Sequence, residues 1–390
     1  MSENEKKFVV SNTIYQKIVK FLYIGMSAIS NLRGDYLESI KKLKQTIKLE
    51  PNNPELHWKL GTIYLKLLDT KNALIHLKIA ANLGNKKTKY LLWLSSAENS
   101  VGNVDNSYNL IQEVLKNNPI SSEAWYIKGE ILINKGLIKE GIEALKKAVD
   151  IDPHNVNCWN ELGCVYLENN EILNALESFT NGLKANHKEP TLLFNTGLAY
   201  LKLENYIMSL DYLEKAKKHK LNCPELYNAL GLCYSKTGNL EVAEINYQKA
   251  LELFPENPET ICNLAAIKGK KHLFRDAIKL YEQLIKLNEY DATILNNIAW
   301  CLEQTNNLDD AIKYYYRALA IEPSNVMIRL NLSECLYLKG YLTEAIEHLE
   351  QILEENSKNQ KAWGILGNIY DKSKLHAKAI DCFNKALGLE

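Results

Sequence analysis

Small and large apolar residues recur along the chain at a fixed spacing of 34 residues, and this spacing predicts the fold. If Lys20 is position 1 of the first copy, further copies begin, without insertion or deletion, at Pro54, Thr88, Ser122, Val156, Pro190, Pro224, Pro258, Ala292, Val326 and Gln360. A fixed period of this length is typical of a solenoid, in which two-helix units stack on one another. We therefore expect eleven stacked units.

Each copy carries two apolar stripes at helical spacing. Positions 4, 7, 8 and 11 lie on one face of a first helix, and positions 20, 24 and 27 form the stripe of a second helix. Position 8 is often Gly, as at Gly61 and Gly163, and position 20 is often Ala, as at Ala73. Small residues at both positions predict a close approach of the two helices. Proline at position 32, as at Pro153, is expected to end the second helix.

The recurring residues identify a family resemblance. With Trp125 at position 4, Tyr166 at position 11 and Ala148 at position 27 as examples, residues 20–390 resemble the tetratricopeptide repeat (TPR) family. The resemblance implies an all-α TPR α-solenoid, a right-handed superhelix of about eleven helix-turn-helix repeats. Residues 1–19 would then form an N-terminal extension or cap. The implied function is a non-catalytic scaffold that binds a protein or peptide, without a cofactor or a small-molecule substrate.

Two copies depart from the pattern by placing a charge on a packed face. Glu98 in the third copy and Lys268 in the eighth occupy position 11, where Tyr is usual. Burying a charge costs free energy unless an opposite charge or hydrogen bonds compensate it. We therefore expect local irregularity in these two repeats.

The side of the first helix away from the core stripe carries the candidate binding residues. Positions 2, 6, 9 and 13 lie on this side, which lines the concave groove in TPR arrays. Position 6 is asparagine in four copies, at Asn195, Asn263, Asn297 and Asn331. An amide can both donate to and accept from an extended peptide backbone. The row is similar to the asparagine ladder in the TPR region of O-linked N-acetylglucosamine transferase, although Glu161 and Ala229 interrupt it. The alternative is that Asn is simply common at this repeat position.

Two tryptophans fall on the same side of the first helices. Trp93 occupies position 6 of its copy, and Trp300 occupies position 9, one turn after Asn297. A large aromatic side chain in a groove is a candidate anchor for a partner side chain. The alternative is that Trp300 packs against the adjacent repeat. The expected peptide-binding set is therefore Asn195, Asn263, Asn297, Asn331, Trp300 and Trp93.

The charge balance argues against nucleic acid as a partner. The chain has 47 basic and 47 acidic residues, and only four of the basic residues are arginine. A phosphate-binding surface would require a basic groove, whereas this one contains acidic residues such as Glu123 and Glu161. The charge is uneven, because residues 1–100 hold 16 basic and 8 acidic residues. This gradient either orients a charged partner or is an ordinary lysine-rich surface.

No catalytic or metal-binding motif is present in the sequence. The eight cysteines form no CxxC spacing, and Cys233, Cys301 and Cys335 all fall at position 10, beside the core stripe. They are expected to be small buried hydrophobes in a reducing compartment, which favours the cytoplasm. We therefore expect neither an enzyme nor a metal site. The alternative function is a regulatory or substrate-selecting subunit of a glycosyltransferase or of a secretion or assembly complex.

Both ends of the chain add a separate expectation. The apolar stretch 21–32 is short for a membrane anchor and fits the first helix of the first copy, although membrane association through this segment is the alternative. Ile380, Phe383 and Leu387 form an apolar stripe in the last copy. Terminal units of a solenoid need a polar cap. We therefore expect self-association or partner docking through the C-terminal repeat.

Overall fold

The computed structural model describes residues 36–287 and 291–389, with helix α1 at 36–49 followed by ten helix pairs. The first helices of the pairs are α2 Pro54–Lys66, α4 Thr88–Ser100, α6 Ser122–Asn134, α8 Val156–Glu168, α10 Pro190–Lys202, α12 Pro224–Lys236, α14 Pro258–Lys270, α16 Ala292–Gln304, α18 Val326–Lys339 and α20 Gln360–Lys372. The second helices are α3 Thr70–Leu83, α5 Val104–Asn117, α7 Ile138–Ile151, α9 Ile172–Ala185, α11 Tyr206–Lys218, α13 Leu240–Leu253, α15 Phe274–Leu287, α17 Leu308–Ile321, α19 Leu342–Glu355 and α21 His376–Leu387. The expected extension 1–19 and apolar stretch 21–32 lie outside the described residues.

The first helices of these ten pairs begin at the residues where the 34-residue pattern begins. In most copies an asparagine, aspartate or serine at position 34 caps the next helix. The Oδ1 atoms of Asn53, Asn155 and Asn359 accept backbone N–H bonds of 3.0, 3.1 and 3.1 Å from the first turn. Such a cap satisfies donors that have no partner inside the helix. Position 34 thus fixes the start of the helices that carry such a cap, whereas Lys87 and Glu189 make no capping side-chain bond at this position.

A recurrent backbone feature of the turn inside each pair is not visible in the apolar pattern. The residue at position 15 has a positive φ in all ten described turns. Four of these residues are glycines, Gly102, Gly136, Gly238 and Gly340, and the other six are Leu68, Asn170, Glu204, His272, Asn306 and Lys374. The left-handed conformation is strained for residues with a Cβ. The turn geometry therefore overrides the local preference of most residues that occupy it.

The two helices of a pair approach most closely at position 8. A Cβ on Gly61 would lie 2.6 Å from Cγ of Leu77, and one on Gly163 would lie 2.3 Å from the ring of Phe179. The carbonyl of Ala73, at position 20, would be 3.3 Å from the same atom on Gly61. Positions 8 and 20 thus face each other as expected, and the large residue at position 24 fills the remaining space.

The carboxylate of Glu98 is fully buried and compensated. It forms an ion pair with Lys78, with 3.0 Å between Nζ and Oε1. The side-chain amides of Asn103 and Asn106 donate hydrogen bonds to it of 2.7 and 2.8 Å. Paired and hydrogen-bonded charges can be buried without disrupting the surrounding helices. Helix α4 accordingly has the same 13-residue length as its neighbours α2 and α6.

Lys268 is compensated in the same way from a neighbouring second helix. Its ammonium group lies 2.7 Å from Oε1 of Glu244, whose Oε2 accepts from Lys271 at 2.8 Å. The two lysines lower the pKa of the Glu244 carboxyl against the opposing effect of its burial. Helix α14 also keeps its 13 residues. Helices α4 and α14 are therefore uninterrupted at Glu98 and Lys268, contrary to the expected irregularity, because each charge has partners from the same or an adjacent helix pair.

The chain divides into two compact units, Met1–Cys233 and Tyr234–Glu390. In the first unit, α4 contacts α2 and α6, and α8 contacts α10. In the second unit, α18 contacts α16 and α20. No second helix among the described residues makes a comparable contact with the next second helix. In each unit the first helices therefore form the inner layer, and their solvent-facing side, positions 2, 6, 9 and 13, is called the inner face below.

The cysteines lie mostly in the core, whereas two apolar residues of the last helix are exposed. Cys233, Cys301 and Cys335 are buried, as the sequence predicts, and all eight cysteines are free thiols. Burial raises the pKa of the Cys335 thiol to about 12, so it stays protonated at neutral pH. At the C-terminal pair, Ile380 is 60% exposed and Leu387 is 71% exposed.

Candidate functional site

The inner face of the second unit carries three of the predicted asparagines, and we call Asn263, Asn297 and Asn331 the amide row. All three are half-buried. Nδ2 of Asn331 donates to Oδ1 of Asn296 in the preceding repeat at 3.0 Å, and Asn297 makes a side-chain hydrogen bond with the Tyr281 hydroxyl. A carboxamide can make up to four hydrogen bonds, so one such bond does not exhaust it.

Trp300 lies on the same inner face and is 39% exposed. Its ring meets Phe274 of the preceding repeat edge to face, with 5.6 Å between ring centres and 83° between planes. A Cβ on Gly269 would lie 3.2 Å from Cζ3 of Trp300, so the absence of a side chain there makes room for the indole. Trp300 therefore packs on the adjacent repeat with one part of its ring and exposes another. This contact holds the indole in one orientation on the inner face.

Two further apolar side chains are exposed at inner-face positions of the repeat that follows the repeat of Trp300. Met327 at position 2 and Leu338 at position 13 of α18 are both exposed. Sequence reasoning did not single them out, although their repeat positions place them on the inner face. Apolar side chains exposed beside polar groups are a common feature of protein-binding surfaces.

Asn195 and Trp93, the other two predicted binding residues, lie on the inner face of the first unit and are less exposed than Trp300. Asn195 is buried, and its Nδ2 donates to Oδ1 of Asn160 at 2.7 Å and to Sγ of Cys164 at 3.4 Å. Trp93 is half-buried and packs against the apolar core cluster of the N-terminal repeats. The amide pair between positions 6 and 5 of successive repeats occurs in both units. It therefore links neighbouring repeats, which gives the asparagines a structural role in addition to any binding role.

A group of carboxylates lies farther along the inner face of the first unit. The hydroxyl of Tyr126 donates to Oε1 of Glu130 at 2.8 Å. Burial, and then the charge of Glu161 in the next repeat, raises the pKa of Glu130 to about 7. Glutamates at position 9 of one copy and position 6 of the next were a sequence signal of this interaction.

The N-terminal part of the same face is basic and aromatic. Lys59 and Lys66 of α2 and Lys89 of α4 are exposed. The Lys89 ammonium lies 4.8 Å from the ring centre of Trp58 and is ion-paired with Glu55. Such a cation–π contact stabilises the ammonium over the indole. Lysines at the N-terminal repeats and glutamates in α6 and α8 thus divide the inner face of the first unit by charge.

The tryptophans at position 4 belong to the scaffold. Trp125, Trp159 and Trp363 are half-buried, and each donates its indole N–H to the backbone carbonyl of the residue six positions earlier, at 2.8, 2.9 and 2.8 Å. This carbonyl lies at position 32, in the loop between repeats. Each indole therefore ties the incoming loop to the first helix.

Residues 36–287 and 291–389 contain no group of three or more His, Cys, Asp or Glu side chains placed to hold a metal ion. Over the same residues, every helix falls short of the length and apolarity required to cross a bilayer.

Family models support the resemblance along the chain. Models described as tetratricopeptide repeat or TPR repeat match residues 31–67, 122–155, 144–177, 224–257, 264–326 and 360–390. Together these matches cover more than half of the 390 residues.

Two characterised proteins share part of the sequence. The chain is 22% identical over 157 residues to the BBSome complex member BBS4 homolog of Drosophila melanogaster, covering 40% of this chain and 32% of that protein. It is 23% identical over 177 residues to Protein O-mannosyl-transferase TMTC3 of Homo sapiens, covering 41% of this chain and 19% of that protein. The chain thus spans at most about a third of the length of these two relatives.

A solved structure shares the fold. A chain in the crystal structure of the APC/C hetero-tetramer Cut9–Hcn1 superposes with a TM-score of 0.54 at 18% identity, covering 77% of this chain and 59% of that chain. At this identity the similarity concerns the fold alone.

Proposed function

The chain belongs to the tetratricopeptide repeat family, whose fold serves as a scaffold for protein–protein interaction, and we propose that it binds an extended segment of a partner protein on its inner faces. The observation that carries the proposal is the indole of Trp300. It is held by Phe274 and Gly269 yet 39% exposed, on the face that carries the amide row. An exposed aromatic side chain with a fixed orientation loses little conformational entropy on binding, so it is suited to anchor a partner side chain.

The amide row would hold the main chain of the segment beside that anchor. Asn331 has one N–H bonded to Asn296, so its second N–H and its carbonyl can bind a peptide group. Hydrogen bonds to main chain do not depend on the side chains of the partner. The row therefore supplies affinity, and the aromatic anchor supplies selectivity.

Catalysis is not part of the proposal, because proteins of this family are generally non-catalytic scaffolds. The alternative role in a glycosyltransferase or secretion complex stays a prediction, since the match to the O-mannosyl-transferase covers only 19% of that protein. We propose a cytoplasmic location on the basis of the eight free cysteines.

The proposal is tested by replacing the whole amide row. Affinity capture from native cells and a peptide array of the captured protein would first define the bound segment. We expect Asn263→Ala/Asn297→Ala/Asn331→Ala to weaken binding of that segment at least tenfold, with the melting temperature nearly unchanged. The matched control is Asn82→Ala/Asn109→Ala, at exposed positions of the second helices. Equal affinity of the triple variant and the wild type would reject the role of the row.

A further inference from the structure

We propose that the inner face of the first unit binds an extended segment that carries an acidic block and a basic block, with the centres of the two blocks about six residues apart. The inference rests on the proposed function only in assigning segment binding to the inner face. It concerns α2 to α8, whereas the proposed function is tested through α14 to α18. Each can therefore fail while the other stands.

The two charged regions are separated along the stack of first helices. Lys59, Lys66 and Lys89 occupy positions 6, 13 and 2 of α2 and α4, and the only acidic inner-face residue there, Glu55, is paired with Lys89. The next two first helices reverse the sign. Their inner-face positions hold four glutamates and no basic residue: Glu123, Glu130, Glu161 and Glu168. A uniformly charged segment would be attracted by one region and repelled by the other.

In the basic region, one buried indole N–H has no hydrogen-bond acceptor. The Nε1 atom of Trp58 is buried and has no hydrogen-bond partner, on the ring that Lys89 covers at 4.8 Å. A buried N–H donor without an acceptor costs free energy. A partner carboxylate that reached this N–H would supply the acceptor that it lacks. The local chemistry therefore fits an acidic block of the partner.

The acidic region contains a repulsion that a cation would relieve. Glu130 is held against the hydroxyl of Tyr126, and the charge of Glu161 in the next repeat opposes its ionisation. A lysine or arginine of the partner placed between these two glutamates would favour both ionised forms. This fits a basic block, and its binding near neutral pH would release a proton from Glu130.

The spacing follows from the geometry of the helix layer. Axes of packed helices lie about 8–10 Å apart, so the centres of the α2–α4 and α6–α8 pairs are about 20 Å apart. An extended chain covers roughly 3.3–3.6 Å per residue, and 20 Å therefore corresponds to about six residues.

Synthetic peptides with the full chain test the inference directly. The probe is a labelled peptide of four Asp, two Gly/Ser and four Lys residues, whose block centres lie six residues apart, made in both chain directions. The comparison peptides are all-Asp, all-Lys and an alternating Asp/Lys peptide of the same composition. We expect one blocked peptide to bind at least tenfold tighter than each comparison peptide in fluorescence anisotropy, with the difference shrinking at high salt. Equal affinity of the blocked and alternating peptides would overturn the inference.

Charge variants assign the two blocks to their regions. We expect Lys59→Glu/Lys66→Glu, and separately Glu161→Gln/Glu168→Gln, each to weaken the blocked peptide at least fivefold. The matched controls Lys71→Glu and Glu177→Gln alter exposed charges on second helices and should leave binding unchanged. Circular dichroism melts establish that each variant is folded. Losses as large in the control variants would overturn the assignment, because the attraction would then be a property of the whole surface.

Discussion

The inner faces of the two units share one scaffold but carry different side chains. Both units use Gly at position 8 against a large residue at position 24, as in Gly163–Phe179 and Gly367–Phe383. In the first unit, α2 to α8 present mainly lysines and glutamates. In the second unit, α14 to α18 carry the amide row, Trp300 and exposed aliphatic side chains beside charged residues such as Lys270 and Glu334. Packing residues thus fix the repeat, while the side chains at the four inner-face positions vary between the units.

The largest expected effect concerns the packing that the two units share. Gly163→Ala and Gly367→Ala should each destabilise the chain by about 1–3 kcal/mol, because the added methyl would lie 2.3 and 2.6 Å from a phenylalanine ring. Gly364→Ala is the matched control, since a Cβ there meets nothing within 4 Å. It should be neutral or stabilising by up to about 1 kcal/mol. Urea unfolding measures all three, and a neutral Gly163→Ala would refute the common packing.

The next effect separates the tryptophans of the two inner faces. Trp300→Ala should cost ~2 kcal/mol or more in binding of the partner segment, if the exposed part of the ring anchors a partner side chain as we propose. Trp93→Ala should instead lower stability, because Trp93 packs against the core cluster. Calorimetry of binding and thermal melts distinguish the two results. A stability loss of ~3–5 kcal/mol for Trp300→Ala would assign it to the core.

Acid should weaken the first unit through a histidine pair. Nδ1 of His57 lies 3.0 Å from Nδ1 of His76, and Nε2 of His57 lies 3.0 Å from the carbonyl of Pro51. Burial, and then the charges of His57 and Lys44, lowers the pKa of His76. His76 also stacks on Tyr64, whose ring faces Lys44.

The sign of the pH dependence follows from this lowered pKa. In the unfolded chain the pKa of a histidine is about 6.5, whereas folding lowers the pKa of His76. As the pH falls through 6.5, the unfolded chain therefore binds a proton more readily than the folded chain does, and His76 contributes a loss of stability. Glu130, whose pKa is raised to about 7, makes the opposite contribution, so the test compares slopes. In urea unfolding from pH 7.5 to 5, His76→Gln should remove a decline in stability that the wild type carries. His154→Gln, at an exposed site, should retain the full decline. An unchanged slope in His76→Gln would contradict the assignment.

The smallest effect concerns the turns inside the helix pairs. Leu68 has a φ of 59° and Gly102 has a φ of 83° at the same repeat position. Leu68→Gly should stabilise the chain by about 0.5–1 kcal/mol by removing backbone strain, less the entropy cost of glycine. Gly102→Ala should destabilise it by about 1 kcal/mol. A higher melting temperature for Leu68→Gly and a lower one for Gly102→Ala would support the shared turn geometry. Destabilisation by Leu68→Gly would contradict it.

Much of the scaffold could be predicted from the sequence, because packing residues recur in register. The helix starts and the contact between positions 8 and 20 follow from residues such as Gly61 and Ala73. The compensation of Glu98 could not be predicted, since Lys78 lies on another helix and its approach depends on the packed geometry. The left-handed turn was also invisible, because residues as different as Leu68 and Lys374 adopt it.

The candidate site was predictable only in part, for a related physical reason. The repeat position assigned Asn297 and Trp300 to one face, but it could not indicate how much of each side chain the adjacent repeat covers. Asn195 shares position 6 with Asn297 and yet is buried against Asn160. Accessibility depends on the neighbouring side chains, which differ from repeat to repeat.

The central claim is that partner segments bind the inner faces formed by the first helices. The most direct measurement is photo-cross-linking of the captured segment, carrying a photoreactive residue at successive positions, followed by mass spectrometry of the adducts. We expect adducts at positions 2, 6, 9 and 13 of the first helices, including Trp300 and its neighbours on α16 and α18. Adducts concentrated on the second helices, such as α15 and α17, would contradict the account.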